Sequence, residues 1–301
     1  MKRCAFLTLA DRGDFEIDDD HAVAPLAALG WQVEEVPWNE PGRDWARWDA
    51  VVLRSAWDWF EAPDAFVRVL SEIDGATRLA NPLPVLRWNL SKTYLGDLRA
   101  AGVPIVPTHF FDDLASVSLA DVAAEFGAAG CGAQELVCKP VVGANGVDTW
   151  RLDTGARADE ADAARIETAR DAFRQRPGML QPFRTSVLTE GEYSTFWFGG
   201  RFSHAIVKRP AAGEFRTQEE RGARLARVEA SDALLAAGQA ALSVAEGLDP
   251  RGLLYARVDF VHGDGGAFEL MELELLEPSL YLRMDPLAPG RFARALEAWF
   301  R

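Results

Sequence analysis

Residues 253–280 read LLYARVDFVHGDGGAFELMELELLEPSL, and this stretch constrains the fold most. Residues 253–261 form a β-branched, apolar run, and residues 267–276 alternate glutamate with leucine or methionine. Successive strand side chains point to opposite faces, so Glu272 and Glu274 share one face. A two-residue Gly265-Gly266 turn would pair Asp264 with Ala267. Counting outward from it, Asp259 faces Glu272 and Arg257 faces Glu274. Three carboxylates and a guanidinium then share a small patch. Carboxylates that close repel unless a cation sits among them. An all-oxygen donor set of Asp259, Glu272 and Glu274 suits Mg²⁺ or Mn²⁺, which commonly bridge carboxylates to a substrate phosphate. An amphipathic hairpin with one solvated face gives the same pattern, and the hairpin alone does not separate the two.

The remaining chain is that of a globular α/β protein. Its 301 residues can bury a substantial core, and two or three subdomains are expected. Hydrophobic residues make up 49% and charged residues 26%, ordinary for a globular enzyme. The net charge of −14 argues against a broad nucleic-acid face, which needs lysine and arginine on phosphates. No apolar run is long enough to span a membrane, and the first residues turn acidic too soon for a signal peptide. Cys4, Cys131 and Cys138 are scattered and odd in number, which fits a reduced, cytoplasmic setting.

Strands are expected at 4–9, 31–36 and 48–53, with a helix at 21–29 closed by Gly30. They form a parallel α/β layer over roughly the first 85 residues. Ligands approach the carboxyl ends of such strands, which makes Arg54 a candidate substrate contact; a solvated loop arginine is the alternative. Residues 81–84 (NPLP) read as a linker. Helices are expected at 90–101, 117–126, 157–174, 231–247 and 289–300. Strands are expected at 136–139, 147–152 and 179–183, with a hairpin 193–208 turning at Gly199-Gly200. The chain divides as 1–84, 85–183 and 184–301. The segment 11–20 (DRGDFEIDDD) is an acidic run at the expected ligand edge.

Cations gather in this acidic chain at a few places. Lys139 ends a strand and leads into Gly143-Ala144-Asn145-Gly146, whose glycines let backbone N–H groups approach phosphate oxygens. A plain Asn-Gly hairpin turn is the bland alternative. Lys92 opens the helix after the linker. Lys208, Arg209, Arg216, Arg221 and Arg224 crowd the segment 208–224, with Arg224 and Arg227 taken as a basic loop balancing nearby acids.

The ordered set Lys92, Lys139 with its glycine loop, Gln181-Pro182-Phe183, Lys208, Gly213-Glu214-Phe215-Arg216, Arg221-Gly222, Arg257-x-Asp259 and Glu272-x-Glu274 resembles the ATP-grasp superfamily. It is similar to the branch of bacterial glutathione synthetase and the ribosomal-protein glutamate ligases, over roughly residues 89–280. Gln218, Ala223 and Glu274 depart from that branch, which carries asparagine, glycine and asparagine there. The EPSLYL stretch after the hairpin resembles small-molecule ligases such as the cyclising enzyme that makes D-cycloserine.

The resemblance implies an ATP-grasp fold. It implies an ATP-dependent ligase joining a carboxylate of a small molecule to a nitrogen nucleophile through an acyl phosphate; a regulatory ATP-binding module or a phosphotransferase of the same fold are the alternatives. Lys92 and Lys139 would contact the ATP phosphates under a lid formed by Gly143 and Gly146. Gln181 and Phe183 would hold adenine, and Glu190 or Glu192 the ribose. Lys208, Arg216 and Arg257 would face the triphosphate and the intermediate, and Asp259, Glu272 and Glu274 would hold Mg²⁺. On the substrate side, Arg54, Arg221, Glu277 and Ser279 are the candidates. Partners would be small molecules and a possible second copy, with no nucleic acid and no membrane.

Overall fold

The computed structural model describes residues 1–13, 15–130, 134–155 and 158–301. Asp14 of the acidic run, Cys131 and the expected helix start at Arg157 fall outside the described residues. Among the described residues the strands assemble into three sheets.

The first sheet is parallel, in the order β2-β1-β3-β4, from β1 (Lys2–Thr8), β2 (Trp31–Pro37), β3 (Ala50–Ser55) and β4 (Arg78–Ala80). Helix α1 (Val23–Ala28) joins β1 to β2, and α2 (Pro63–Ala76) joins β3 to β4. Every residue of β3 is buried, as expected of a central parallel strand covered on both faces. Helix α2, not anticipated above, begins with Pro63 in its first turn and buries Phe66, Leu70 and Ile73 along one stripe.

The expected linker is instead ordered structure. Helix α3 (Leu83–Asn89) starts within it, and the helix expected at 90–101 begins later, as α4 (Tyr94–Ala100), which leaves Lys92 in the turn between the two. Asn81 is fully buried. Its amide donates to the carbonyls of Tyr255 and Leu275, both at 2.9 Å, and its oxygen accepts from the Leu254 N–H at 2.7 Å. Residues 81–84 therefore pin the parallel sheet to the acidic hairpin.

The second sheet has the order β5-β8-β6-β7 and is antiparallel, from β5 (His109–Phe111), β6 (Glu135–Pro140), β7 (Trp150–Asp153) and β8 (Gly178–Pro182), backed by α5 (Leu119–Ala128) and α6 (Glu160–Ala172). Cys138 pairs with Trp150, so the chain between β6 and β7 is a long loop and not the Asn-Gly hairpin turn.

After the short α7 (Ser186–Thr189) comes the third sheet, also antiparallel, in the order β11-β10-β9-β12-β13. It comprises β9 (Glu192–Phe198), β10 (Arg201–Arg209), β11 (Arg224–Val228), β12 (Tyr255–His262) and β13 (Phe268–Glu274). Arg224 and Arg227 thus lie on an edge strand and not in a loop, although Arg227 does balance an acid, Asp285, at 2.9 Å. Helix α8 (Asp232–Glu246), capped by Ser231 accepting from the Leu234 N–H, covers one face; Leu234, Ala241, Leu242 and Ala245 pack there on Trp197, Ala256, Val258 and Phe260. Helix α9 (Ala288–Phe300) covers part of the other, packing Phe292 and Leu296 on Phe196, Phe198 and Tyr255.

The β12–β13 hairpin pairs Arg257 with Glu274 and Asp259 with Glu272, the pairing read from the sequence. The route differs. Gly263 closes on Ala267 at 2.9 Å around a three-residue loop, so Asp264 does not pair with Ala267. That offset is undone at a β-bulge, where the pairs step from Phe260–Leu270 to Asp259–Glu272 and leave Met271 as the extra residue. Two one-residue differences cancel. The outer edge of β13 is covered where Val106 donates to the Leu270 carbonyl and Leu270 donates to that of Pro104.

Candidate active site

On the face of the third sheet left open by α9, strand alternation lines up Glu192 and Ser194 of β9, Lys208 of β10, Arg257 and Asp259 of β12, and Glu272 and Glu274 of β13. The register pairs Lys208 with Glu192, Asp259 with Ser194 and Arg257 with Phe196. The same face runs from apolar under α9 to charged at its other end.

These charges are held to one another. Asp259 is 2% exposed; its Oδ1 accepts the Ser194 hydroxyl at 2.6 Å, and it pairs with Arg257 at 3.0 Å and Lys208 at 3.7 Å. Arg257 also pairs with Glu274, Lys208 with Glu192, and Lys92 with Glu272. Thr217 donates its hydroxyl to Glu192 at 2.8 Å. Burial works to raise the Asp259 and Glu272 pKa values, but Arg257 and Lys208 hold the first below the usual carboxylate range, and Lys92 and Lys139 hold the second there. Glu274 goes the other way. Burial, with Glu272 and Asp259 nearby, pushes it up to about 8 against the pull of Arg257. Over the whole lining of the site, acidic side chains outnumber lysines and arginines.

Opposite them stands Lys139, 9% exposed and, among the described residues, without an ion-pair partner. Burial lowers its pKa. A buried, unpaired lysine beside Lys92 is a site for an anion.

An open cleft joins these groups. Of the residues named from the sequence, Lys92, Lys139, Gly143, Gly146, Gln181, Phe183, Glu192, Lys208, Arg216, Arg257, Asp259, Glu272, Glu274, Glu277 and Ser279 line it. The glycine loop is folded over the cleft. Lys92 Nζ donates to the Gly143 carbonyl at 3.1 Å, and Asn145 Nδ2 donates to the Trp57 carbonyl at 3.1 Å. Asn145 and Gly146 both take positive φ, and a Cβ on Gly146 would sit 3.1 Å from the Gln218 side chain. Arg216, on the same side, is held in a fork by Glu214 at 2.8 and 3.0 Å. At the far end Gln181 donates to Thr108 Oγ1 at 3.0 Å. The Phe183 ring lies under the Arg151 guanidinium, 3.9 Å from ring centre to cation, with Phe215 edge-on at 6.1 Å.

Three expected residues sit elsewhere. Arg54 is 2% exposed and turned away from the cleft, because β3 runs on to Ser55 and places it inside the strand. It forks onto Asp19 at 2.7 and 2.9 Å and donates to the Pro278 carbonyl at 3.0 Å. Glu190 precedes β9 and pairs with His262 at 2.6 Å outside the cleft, so Glu192 is the one of that pair that lines it. Arg221 lines a neighbouring cavity with Phe15, Trp57, Asp58 and Gln218. In the acidic run, Asp18 and Asp19 are buried partners of Arg283 and Arg54, while exposed Glu16 reaches the cleft.

Sequence reasoning missed the supports. Asn89 donates to the Leu273 carbonyl at 2.8 Å and accepts from the Leu275 N–H at 2.9 Å, and the Tyr94 hydroxyl accepts from the Leu273 N–H at 2.9 Å. Together they fix the backbone on which Glu272 and Glu274 stand. Ser194 was findable, since it falls opposite Asp259 once β9 is laid beside β12. The asparagines carried no signal readable from local pattern.

Among the described residues no three His, Cys, Asp or Glu side chains are gathered into a ready metal cage, and no helix is long and apolar enough to cross a membrane. The hard oxygen donors and their excess of negative charge still suit Mg²⁺, which is usually held by one or two carboxylates together with substrate phosphates.

A family profile described as D-cycloserine synthetase DcsG, N-terminal domain, matches residues 4–81. The cycloserine biosynthesis protein DcsG of Streptomyces lavendulae is 36% identical over 291 residues, spanning 92% of this chain and 93% of that protein. The crystal structure of D-cycloserine synthetase DcsG superposes with a TM-score of 0.84 at 31% identity, over 99% of this chain and 100% of that one. The ATP-grasp ligase PsnB, complexed with a phosphomimetic variant of its minimal precursor, Mg and ADP, shares the fold with a TM-score of 0.65 at 19% identity, over 99% and 98%. With whole-length likeness at that level, and with the three sheets gripping one charged cleft, the chain belongs to the D-cycloserine synthetase family of ATP-grasp ligases.

Proposed function

We propose that this ligase uses Mg-ATP to turn the carboxylate of a small polar molecule into an acyl phosphate, which a nitrogen nucleophile then opens with release of phosphate. The observation that carries this reading is Lys139. It is buried, has no ion-pair partner among the described residues, and shares one cleft with Lys92, Lys208, Arg257, Asp259, Glu272 and Glu274. A carboxylate attacking a γ-phosphate brings two anions together, and the protein's task is to position them and balance their charge.

In this reading Lys92 and Lys139 hold the phosphates beneath the loop containing Gly143 and Gly146. Gln181 and Phe183 hold the base, and Glu192 the ribose. Lys208, Arg216 and Arg257 stabilise the charge that grows at the reacting oxygens. Asp259, Glu272 and Glu274 would hold Mg²⁺, which when bound screens phosphate charge. Glu277 and Ser279 face the substrate. The solved relative that holds Mg and ADP supports the cofactor pair. The relatives named for cycloserine support a nitrogen carried by the same substrate, so that ligation closes a ring.

The units 1–84, 85–183 and 184–301 each carry one sheet, and buried free Cys4 and Cys138 suit a reducing cytoplasm. The test is ATP turnover with Mg²⁺, a panel of amino acids and small carboxylates, and hydroxylamine as trap. Hydroxamate formed together with ADP supports the acyl phosphate; ADP without hydroxamate across the panel removes it.

A further inference from the structure

Among the described residues, three buried side chains that line the cleft carry a hydroxyl: Tyr94, Thr217 and Tyr281. Tyr94 accepts from the Leu273 N–H, and Thr217 donates to Glu192. Tyr281 is 7% exposed, and its hydroxyl has no hydrogen-bond partner among the described residues. A buried donor without a partner is costly unless a bound molecule supplies one.

The phenol is nevertheless fixed in place. Phe196 packs edge-on to its ring at 6.0 Å, and the Arg283 guanidinium lies 5.2 Å from the ring centre. Tyr281 stands in the left-handed region, at φ 45° and ψ 45°, where a residue with a Cβ persists only if its surroundings impose it. The segment leading to it is pinned by the first sheet and the chain that follows β3. Trp59 donates to Glu277 Oε1 at 2.6 Å, Trp57 to the Glu277 carbonyl at 2.8 Å, and Arg54 to the Pro278 carbonyl at 3.0 Å. Arg257 Nη1 reaches the Ser279 carbonyl at 3.4 Å, so the guanidinium and the phenol meet on one segment of the cleft wall.

We propose that the Tyr281 hydroxyl donates a hydrogen bond to the oxyanion that forms when the nitrogen nucleophile attacks the acyl phosphate. The inference rests on the ligase reading above and adds a catalytic residue to it. The nitrogen lone pair forms the C–N bond, and the carbonyl pair moves onto oxygen. That pair then returns and the bond from carbon to the phosphate oxygen breaks. Phosphate leaves with those electrons and takes up the proton released by nitrogen. Negative charge sits on the carbonyl oxygen only between these two events. A fixed neutral donor acts most on such charge, because it needs no counter-ion beforehand and no reorganisation when the charge appears. Burial raises the Tyr281 pKa, and Lys208 and Arg257 pull it back only in part, so the phenol keeps its proton at neutral pH.

Tyr281→Phe removes the hydroxyl and keeps the ring. The test uses the full chain with Mg-ATP, hydroxylamine and the acid that gives the fastest hydroxamate in the panel above. ADP formed in the first turnover should stay within about threefold of wild type and the KM for ATP within about twofold, because phosphoryl transfer precedes the oxyanion. Hydroxamate formation should fall by about 10²–10³, the loss expected on removing one oxyanion donor, so that ADP runs ahead of hydroxamate. The variant should melt at or above the wild-type temperature, since the hydroxyl has no partner in the empty chain. Hydroxamate formation within about threefold of wild type overturns the inference and leaves the ligase reading standing. So does an equal fall in first-turnover ADP, which would place the hydroxyl at phosphoryl transfer. A lowered melting temperature assigns Tyr281 to packing and overturns it too. No hydroxamate from the wild type with any acid removes the ligase reading and this inference with it.

Discussion

The side-chain amide of Asn145 donates to the main-chain carbonyl of Trp57 across 3.1 Å, joining the glycine loop of the second sheet to the substrate side of the first. The loop is also tied to Lys92 through the Gly143 carbonyl. Each tie is a single hydrogen bond, so these two contacts hold the loop only lightly.

Asn145→Ala should therefore loosen the lid without unfolding it. One neutral hydrogen bond contributes about 1 kcal/mol, so kcat/KM for ATP should fall about fivefold. Hydrogen exchange should quicken over residues 141–149 and be unchanged in β12. Equal protection in variant and wild type would show that the contact does not hold the lid.

Lys139→Ala removes a buried lysine of the cleft that, among the described residues, has no ion-pair partner. The KM for ATP should rise about tenfold or more, as expected for losing a charged hydrogen bond to phosphate. Because the unpaired charge is itself costly in the absence of ligand, the empty variant should melt at or above the wild-type temperature. Wild-type ATP kinetics would sink the phosphate role.

Glu272→Gln removes a carboxylate of the proposed Mg²⁺ set and the partner of Lys92. Turnover should fall by about 10²–10³, the loss seen when one preorganised charge contact is removed. Adenosine binding, measured by calorimetry, should stay close to wild type, because Gln181 and Phe183 lie at the other end of the cleft. Unchanged turnover would remove Glu272 from the metal set.

His204 gives a pH dependence of stability. It is 2% exposed and stacked on Phe196 at 4.3 Å, and burial lowers its pKa to about 4 against the opposing pull of Asp285. Above pH 6.5 it is neutral folded and unfolded. As the pH falls below that, the unfolded chain binds a proton that the folded chain refuses, so stability is lost between about pH 6.5 and about 4, by up to roughly 3 kcal/mol. Denaturant titrations at pH 7.5 and 5 should show a smaller drop for His204→Phe than for the wild type. Equal drops would assign the acid sensitivity elsewhere.

The acidic hairpin was legible because period-two alternation marks a half-buried strand and needs no distant partner. Glu192 and Glu190 were not separable by that rule. Gly191 lies between them at φ 105°, and a Cβ there would meet the Lys208 carbonyl at 2.7 Å. That kink breaks the alternation which would otherwise put both side chains on one face. Arg54 was misplaced for a smaller reason. A register shift lets Thr8 pair with Ser55, and the strand outlasts its apolar run. Asn81, Asn89 and Trp59 act on residues 173 to 218 positions away, so no local window contains both halves of the contact.

Met271 acts as slack in the chain. The tip of the hairpin is offset by one residue and the bulge takes that residue up, so the tip and the catalytic end are mechanically decoupled. Relatives can therefore vary the length of the 263–267 turn and keep their acids on the cleft face, as long as the bulge adjusts. The reverse does not hold. Losing Leu273, downstream of the bulge, would put Glu272 and Glu274 on opposite faces and turn one of them into the apolar layer under α8, and no change at the tip could restore it.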